Sequence, residues 1–399
     1  MNIININDNS NKLYYIGGIV RDEILGLDSF DIDITYVGNA IEYCSKFGEV
    51  IQENPDFGTV RVEVWRNRGI EDKPFNDSEI SEISQIQQID NSCSSNPLFF
   101  QSSIIDFAST RSESYPKKGH LPVVEKIGCS LKEDVMRRDF TINALAKSVT
   151  TGEIIDYTGG LEDIKNNKLR VLHDGSFIDD PTRIIRGLKF SVRFGFDLEE
   201  HTKKLQDEYL ANINYDMSYK RVKKELIETF NLNSQIAFEK FINEKIYKLV
   251  TPNNLELPKI NIKNLIDQYK CEHVWLVYVG ILGDLSRLPL TKTEQKILDE
   301  VPKTEPKTDF DIYKMFENLR IESILLYAIL KNEKIARHYL DNLRQIKIET
   351  TGDDLKNFGI KPSPKYQEIF DEILKEKLKN PKITKEDEIN YLKKSNLAN

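Results

Sequence analysis

Apolar and polar positions follow two regimes along the chain. Up to about residue 109 the signature is short and strand-like. "KLYYIGGIVRDEILG" reads as a strand, a glycine turn and a helix start, and "DIDITYV" as the next strand. "AIEYCSKFG" reads as a helix closed by Gly48, and "TVRVEVW" and "IIDFAST" as further strands. From about residue 131 the pattern turns helical. "SLKEDVMRRDFTINALAKSV" carries apolar residues at helical spacing, and "FIDDPTRIIRGLKFSVRFGF" has Asp at the cap, Pro181 at the first helical position and Gly195 at the exit. Residues 197–399 alternate amphipathic helices with Pro/Asn-rich turns. The pattern predicts an α+β protein: a small mixed α/β head, then a long all-helical tract. Residues 66–103, rich in Ser, Asn, Gln and Ile, exceed any ordinary hairpin loop and read as an insertion.

Composition narrows the class. A chain of 399 residues with 39% hydrophobic and 30% charged residues reads as a soluble globular protein of two or three domains. No apolar run approaches the roughly 18–20 residues of a membrane span. "MNIININDNSNK" lacks a secretory signature, so a cytoplasmic, membrane-free protein is expected. Cys44, Cys93, Cys129 and Cys271 lie far apart, which predicts reduced thiols with neither disulfide nor structural zinc. A net charge of −8 argues against coating nucleic acid non-specifically. The charge is uneven, however: residues 331–399 hold 15 Lys/Arg against 12 Asp/Glu, so a local basic patch stays open.

Candidate chemistry begins at "FDIDITYV". Period two sends Asp31 and Asp33 to one strand face, where two carboxylates repel unless something neutralises them. Such a pair suits Mg²⁺, and two ions could clamp both oxygens of a phosphoryl displacement. Asp106 in "IIDFAST" could supply a third carboxylate. A lone DxD is more often a solvated face, so the neighbouring motifs decide. "GGIVRD" sets Gly17 and Gly18 between strand and helix, where backbone N–H groups can approach phosphate, and Arg21 adds a fixed fork. "RRDFTINA" clusters Arg137, Arg138 and Asp139 on a predicted helix. The arginines suit a triphosphate and the aspartate a ribose hydroxyl. "DDPTRIIRGLK" spaces Arg183, Arg186 and Lys189 at i, i+3 and i+6, with Asp179 or Asp180 as N-cap. Asp180 and Arg183 could also read a base. A carboxylate accepting from an amine beside an arginine donating to a ring nitrogen takes A and C and refuses G and U.

The ordered set "GGIVRD", "DID", "RRDFTINALA", "DYTGGLEDI", "DDPTRIIRGLKFSVRFGF" and "YKRVKKEL" resembles the class II tRNA nucleotidyltransferases, the CCA-adding enzymes. These group with the bacterial poly(A) polymerases in the polymerase-β-like superfamily, and the likeness is dense over about residues 13–230. The resemblance implies a polymerase-β-like head over 1–150, a base-reading helical neck over 151–230 and a tRNA-binding body and tail over 231–399. It gives two Mg²⁺ ions to Asp31 and Asp33, phosphate contacts to Gly18 and Arg21, and triphosphate and ribose to Arg138 and Asp139. Asp180 and Arg183 would read the base, with Arg186 and Lys189 on the same site. Asp156 and Asp163 fall in a hinge segment, and Arg221 and Glu225 in a motif supporting the templating helix. The expected activity is template-independent CCA addition to tRNA from CTP and ATP, with no protein partner. Several positions depart from the family pattern: Asp179 for a usual Glu, Lys189 for a frequent Arg, Lys220 for a frequent Glu, and the 66–103 insertion. "STRSESYPKKGHLPVVE" (109–125) resembles the form in enzymes that add only the terminal A, so A-only or CC-only addition is the alternative, ahead of poly(A) synthesis. His173-Asp174 reads as a loop, Trp65 and Trp275 as core, and the Lys-rich end as a solvated face or a phosphate contact.

Overall fold

The computed structural model describes residues 10–29, 32–65 and 102–394. Asp31 and nearly all of the 66–103 insertion lie outside the described residues. The described chain falls into two units. One runs to Arg183 and includes Arg193–Tyr209, and the other joins Ile184–Val192 to the chain from Leu210 onward.

The first unit is built on a seven-stranded sheet. It holds β1 (Leu13–Ile16), α1 (Gly18–Ile24), β2 (Asp33–Tyr36), α2 (Ala40–Cys44), β3 (Gly48–Asn54), β4 (Thr59–Trp65) and β5 (Ser102–Ser109). A hairpin of β6 (Arg111–Ser114) and β7 (Val123–Ile127) follows, then α3 (Leu131–Met136), β8 (Ala146–Ser148) and β9 (Ile154–Ile155). The sheet order is β3-β4-β5-β2-β1-β8-β9, with β2 and β5 parallel. Alternation sorts its faces. Leu13, Ile34, Val60, Val62, Val64, Ile105 and Phe107 pack with Ala40 and Cys44 of α2 into one core. Each such side chain, fully buried, contributes about 1.5–3 kcal/mol. The intervening Asp33, Arg61 and Asp106 therefore share the opposite face.

Two details differ from the sequence expectation, and the hairpin was not anticipated. Gly48 closes the 3₁₀ turn Ser45–Phe47 that continues α2, but it is extended (φ 173°) and also opens β3; a Cβ there would stand 2.0 Å from the Glu63 carbonyl oxygen. The 109–125 segment forms the β6–β7 hairpin. The helix over "SLKEDVMRRDFTINALAKSV" stops at Met136, so Arg138 and Asp139 lie beyond its end. Asp139 Oδ1 accepts from the Phe140 N–H at 2.8 Å and from Asn143 Nδ2 at 3.0 Å, the local bonding by which Asp competes with a helix. Phe140, Ile142, Ala144 and Leu145 are all fully buried, which one face of a surface helix cannot achieve. Phe140 instead bridges to Val171, a 3₁₀ turn covers Thr141–Asn143, and β8 joins the sheet beside β1.

The unit closes with α4 (Gly160–Lys165), β10 (Lys168–Leu169), α5 (Ser176–Asp179), the ends of α6 (Thr182–Phe194), β11 (Asp197–Leu198) and α7 (Glu200–Ala211). Gly195 ends α6 in the left-handed conformation (φ 71°), as expected. Asp156 takes the N–H groups of Thr158, Gly159, Gly160 and Leu161 at 2.9–3.1 Å, filling the donors at the start of α4.

The second unit is helical. Beyond the middle of α6 it holds α8 (Tyr219–Phe230), α9 (Gln235–Asn243), α10 (Ile262–Tyr269), α11 (Val274–Val279), α12 (Lys292–Asp299), α13 (Asp309–Phe316) and α14 (Ile321–Leu330). It ends in α15 (Glu333–His338), α16 (Gly352–Asn357), α17 (Lys365–Lys379) and α18 (Lys385–Lys394). Phe230, Phe238, Phe241 and Tyr278 stack edge and face at its centre, and Trp275 is buried as expected. Leu355, Ile369, Ile373 and Leu392 form a separate core near the end. The α+β class read from the pattern is thus the class observed. Among the described residues no helix is long and apolar enough to cross a membrane.

Candidate active site

The polar face of the sheet opens into a cavity of about 480 Å³. Across its floor three side chains stand in one register: Arg61 of β4 opposite Asp106 of β5, and Asp106 opposite Asp33 of β2. Arg61 and Asp106 form a two-pronged ion pair, Nε to Oδ1 at 2.7 Å and Nη2 to Oδ2 at 2.8 Å, with each side chain about half exposed (46% and 48%). The third carboxylate anticipated from "IIDFAST" therefore reaches the expected row and is held there by an arginine.

Arg111, Arg137 and Arg138, with Glu53, complete the cavity's charge. Asp134 anchors the last two: Arg137 Nη2 reaches its Oδ1 at 2.9 Å and Arg138 Nη2 its Oδ2 at 3.5 Å. Burial pushes the Asp134 carboxyl up, but the two guanidinium groups outweigh it and hold it below its ordinary value. Arg138 is less content. Burial lowers its pKa against the pull of Asp134 and Asp33, and its Nε is buried with no hydrogen-bond partner among the described residues. A buried N–H without an acceptor costs about 1–3 kcal/mol. Gly17 (φ 72°) lets the strand–helix turn close on this arginine, since a Cβ there would lie 2.8 Å from Arg138 Nη1.

Other predicted residues sit deeper. Arg21 is 4% exposed and spent internally: it donates to Asp22 Oδ1 from Nε (2.8 Å) and Nη2 (2.6 Å), bonds Asn143 and lies 4.5 Å over the Phe194 ring. It does not line the cavity; it ties α1 to the turn after Asp139. Gly18 heads α1 with ordinary backbone angles. Asp163 accepts from the Thr141 hydroxyl at 2.7 Å.

Asp180 and Arg183 are brought together at the α5–α6 junction, both 4% exposed. Asp180 Oδ1 accepts from the Thr182 N–H (3.1 Å) and hydroxyl (2.6 Å), the expected cap. Arg183 donates to Ser176 Oγ at 2.6 Å and, through Nη2, to the carbonyl of Arg137 at 3.0 Å. That bond joins the junction to the cavity wall. Arg186 and Lys189 belong to the second unit, where Glu225 of α8 engages both at 3.4 and 2.9 Å, and Glu228 takes Lys189 at 2.6 Å. His173 lies 3.8 Å from Asp179, and Asp174 pairs with His201. Arg61, Arg111 and Tyr115 were missed. The alternation Val60-Arg61-Val62-Glu63-Val64 already marks Arg61 as facing away from the core.

Residues 13–170 match the poly A polymerase head domain. Over that stretch the chain is similar to poly A polymerase heads. It is 28% identical to the A-adding tRNA nucleotidyltransferase of Geobacter sulfurreducens over 94% of this chain and 44% of that protein. It is 26% identical to the A-adding tRNA nucleotidyltransferase of Halalkalibacterium halodurans over 90% of this chain and 83% of that one. The chain therefore spans under half the length of the first relative and most of the second. A solved CCA-adding enzyme in an apo form superposes with a TM-score of 0.75 at 23% identity, covering 96% of this chain and 92% of that one, which shows the shared fold. The cavity, with Asp33, Asp106 and Arg138, thus lies within the matched residues.

Proposed function

We propose that the chain adds nucleotides to the 3′ end of tRNA without a nucleic-acid template, using ATP, in the cytoplasm. The observation that carries this is the row Arg61–Asp106–Asp33 lining one cavity with Arg138. Carboxylates on the floor beside an arginine wall suit a nucleotide triphosphate with divalent cations. The chemistry of the donors fits: carboxylate oxygens on a wet sheet face are what Mg²⁺ takes. Asp31 and Asp33, with Asp106, would hold it, and two such ions when bound supply charge neutralisation at both oxygens of the displacement.

The chain's own residues do the rest. The primer's 3′ hydroxyl attacks the α-phosphorus, a new P–O bond forms, and the bond to the β-phosphate oxygen breaks to release pyrophosphate. Arg138 donates to the triphosphate, with Arg137 and Arg111 adding charge in a partly desolvated cavity. Asp139 orients the ribose side, held by Asn143. Asp180 and Arg183 present an acceptor beside a donor, the pairing edge that adenine and cytosine complement.

Addition of the terminal A alone is our reading of the product. The 109–125 hairpin supports it, as do the two relatives named A-adding. Full CCA addition is the second reading, favoured by the Asp180–Arg183 chemistry, which accepts C as well as A. Asp33→Ala and Asp31→Ala each test the core reaction. Incorporation is expected to vanish while tRNA binding by gel shift persists; turnover with Mg²⁺ in either variant would sink the assignment.

A further inference from the structure

An arginine donor does not by itself exclude G or U. The carbonyls of those bases accept as readily as the ring nitrogens of A and C, so a guanidinium free to swing could serve either. Exclusion needs the donor fixed opposite the ring position, where G and U present an N–H and two donors meet. What fixes Arg183 is therefore what sets the choice.

The loop of the β6–β7 hairpin holds this junction at three points. Arg183 Nη2 donates to the Tyr115 hydroxyl at 3.3 Å, with the guanidinium carbon 5.9 Å from the ring centre. Lys118 Nζ pairs with Asp179 Oδ1 at 2.5 Å, and the Gly119 N–H donates to the Asp179 carbonyl at 3.0 Å. The base of the hairpin is anchored too: Glu113 takes Arg111 at 2.6 Å and Arg137 at 3.2 Å. Arg137 is the residue whose carbonyl also receives Arg183 Nη2. One guanidinium edge is thus pinned between a hairpin hydroxyl and a backbone carbonyl.

We propose that Tyr115 is a specificity-determining positioning residue: its hydroxyl holds Arg183 so that guanine is refused. The inference rests on the reading of Arg183 as the base-reading donor. Burial keeps the Tyr115 hydroxyl protonated at working pH by raising its pKa, so it remains a neutral acceptor beside the arginine.

The test uses the full chain with a CC-ended tRNA transcript, measuring kcat/KM for ATP and for GTP separately. Tyr115→Phe keeps the ring and removes only the hydroxyl. The GTP-to-ATP efficiency ratio should rise about three- to tenfold, the scale of one hydrogen bond, while kcat with ATP stays within about threefold. Lys118→Ala, which frees the loop tip, should move the ratio the same way and less. An unchanged ratio in Tyr115→Phe, or equal losses with both nucleotides, overturns the proposal. Arg183→Ala separates the two levels. If it leaves the ratio unchanged, the base-reading role itself falls; if it relaxes the ratio and Tyr115→Phe does not, only the role of Tyr115 falls.

Discussion

Gly17 and Gly18 stand side by side, yet substitution should separate them. Gly17 has φ 72° and ψ −122°, a conformation that residues with a Cβ rarely adopt. Forcing alanine into it costs about 1–3 kcal/mol of backbone strain. The new Cβ would also stand 2.8 Å from Arg138 Nη1 and 3.4 Å from the Asn143 carbonyl oxygen. The guanidinium can yield by a few tenths of an ångström, but only by leaving the position that faces the cavity. Gly18 lies outside the left-handed region, and its Cβ would meet only Arg21 Nη2, at 3.5 Å. Alanine there reduces the freedom of the unfolded chain and is neutral or stabilising by up to about 1 kcal/mol. Differential scanning fluorimetry should show Gly17→Ala melting lower, by about 2–4 °C for each kcal/mol lost, and Gly18→Ala melting no lower than the parent. AMP incorporation should fall about tenfold or more in Gly17→Ala, because a misplaced triphosphate donor is costly. Gly18→Ala should keep AMP incorporation within about threefold of the parent, because Gly18 does not line the cavity. Equal melting temperatures for Gly17→Ala and the parent would refute the conformational reasoning.

Other outcomes follow from single contacts. Arg61→Gln releases Asp106 from its cation, so calorimetric Mn²⁺ binding should tighten about three- to tenfold, about 1 kcal/mol. That gain should disappear in an Asp106→Asn background, and its persistence there would mean Arg61 acts only as distant charge. Glu388 is fully buried and receives Lys377 Nζ at 2.6 Å with the N–H and hydroxyl of Thr350, both at 2.8 Å. Glu388→Gln leaves Lys377 paired with Glu349 at 2.9 Å and should cost about 1–3 kcal/mol in the terminal helices, read by urea unfolding of the full chain. Burial raises that carboxyl, but Lys377 and Thr350 outweigh it and hold it below its ordinary value. Its stabilisation is therefore complete above the unfolded value near pH 4.3 and is lost as pH falls through the lower folded one, visible in melts from pH 6 to 3.

How far the sequence could be read depended on how local the determining forces were. Strands β1, β2, β4 and β5 were legible because alternation is set residue by residue. The Asp180 cap and the Gly195 exit were legible because their chemistry lies within one turn. The stop at Met136 was not, because Arg138 leaves the helix to suit a sheet strand, β8, that pairs with β1 some 130 residues earlier. Strand β3 escaped notice because its side chains are nearly all exposed, so no apolar alternation marks it. In the site, residue types were readable and their partners were not. Asp106 could be offered as a third carboxylate from a further predicted strand, whereas its ion pair with Arg61 needs the β4–β5 register. Arg21 carried the right chemistry for phosphate, but Asp22, Asn143 and Phe194 surround it. Tyr115 reaches Arg183 across 68 residues, a distance no local pattern spans.

The central claim is best tested with three tRNA transcripts, ending at the discriminator base, at C and at CC, each incubated with Mg²⁺ and ATP, CTP or both. Products resolved at single-nucleotide length should show the CC-ended tRNA growing by one residue with ATP, and the shorter two unextended. Failure of ATP to extend the CC-ended transcript would contradict the account at its root.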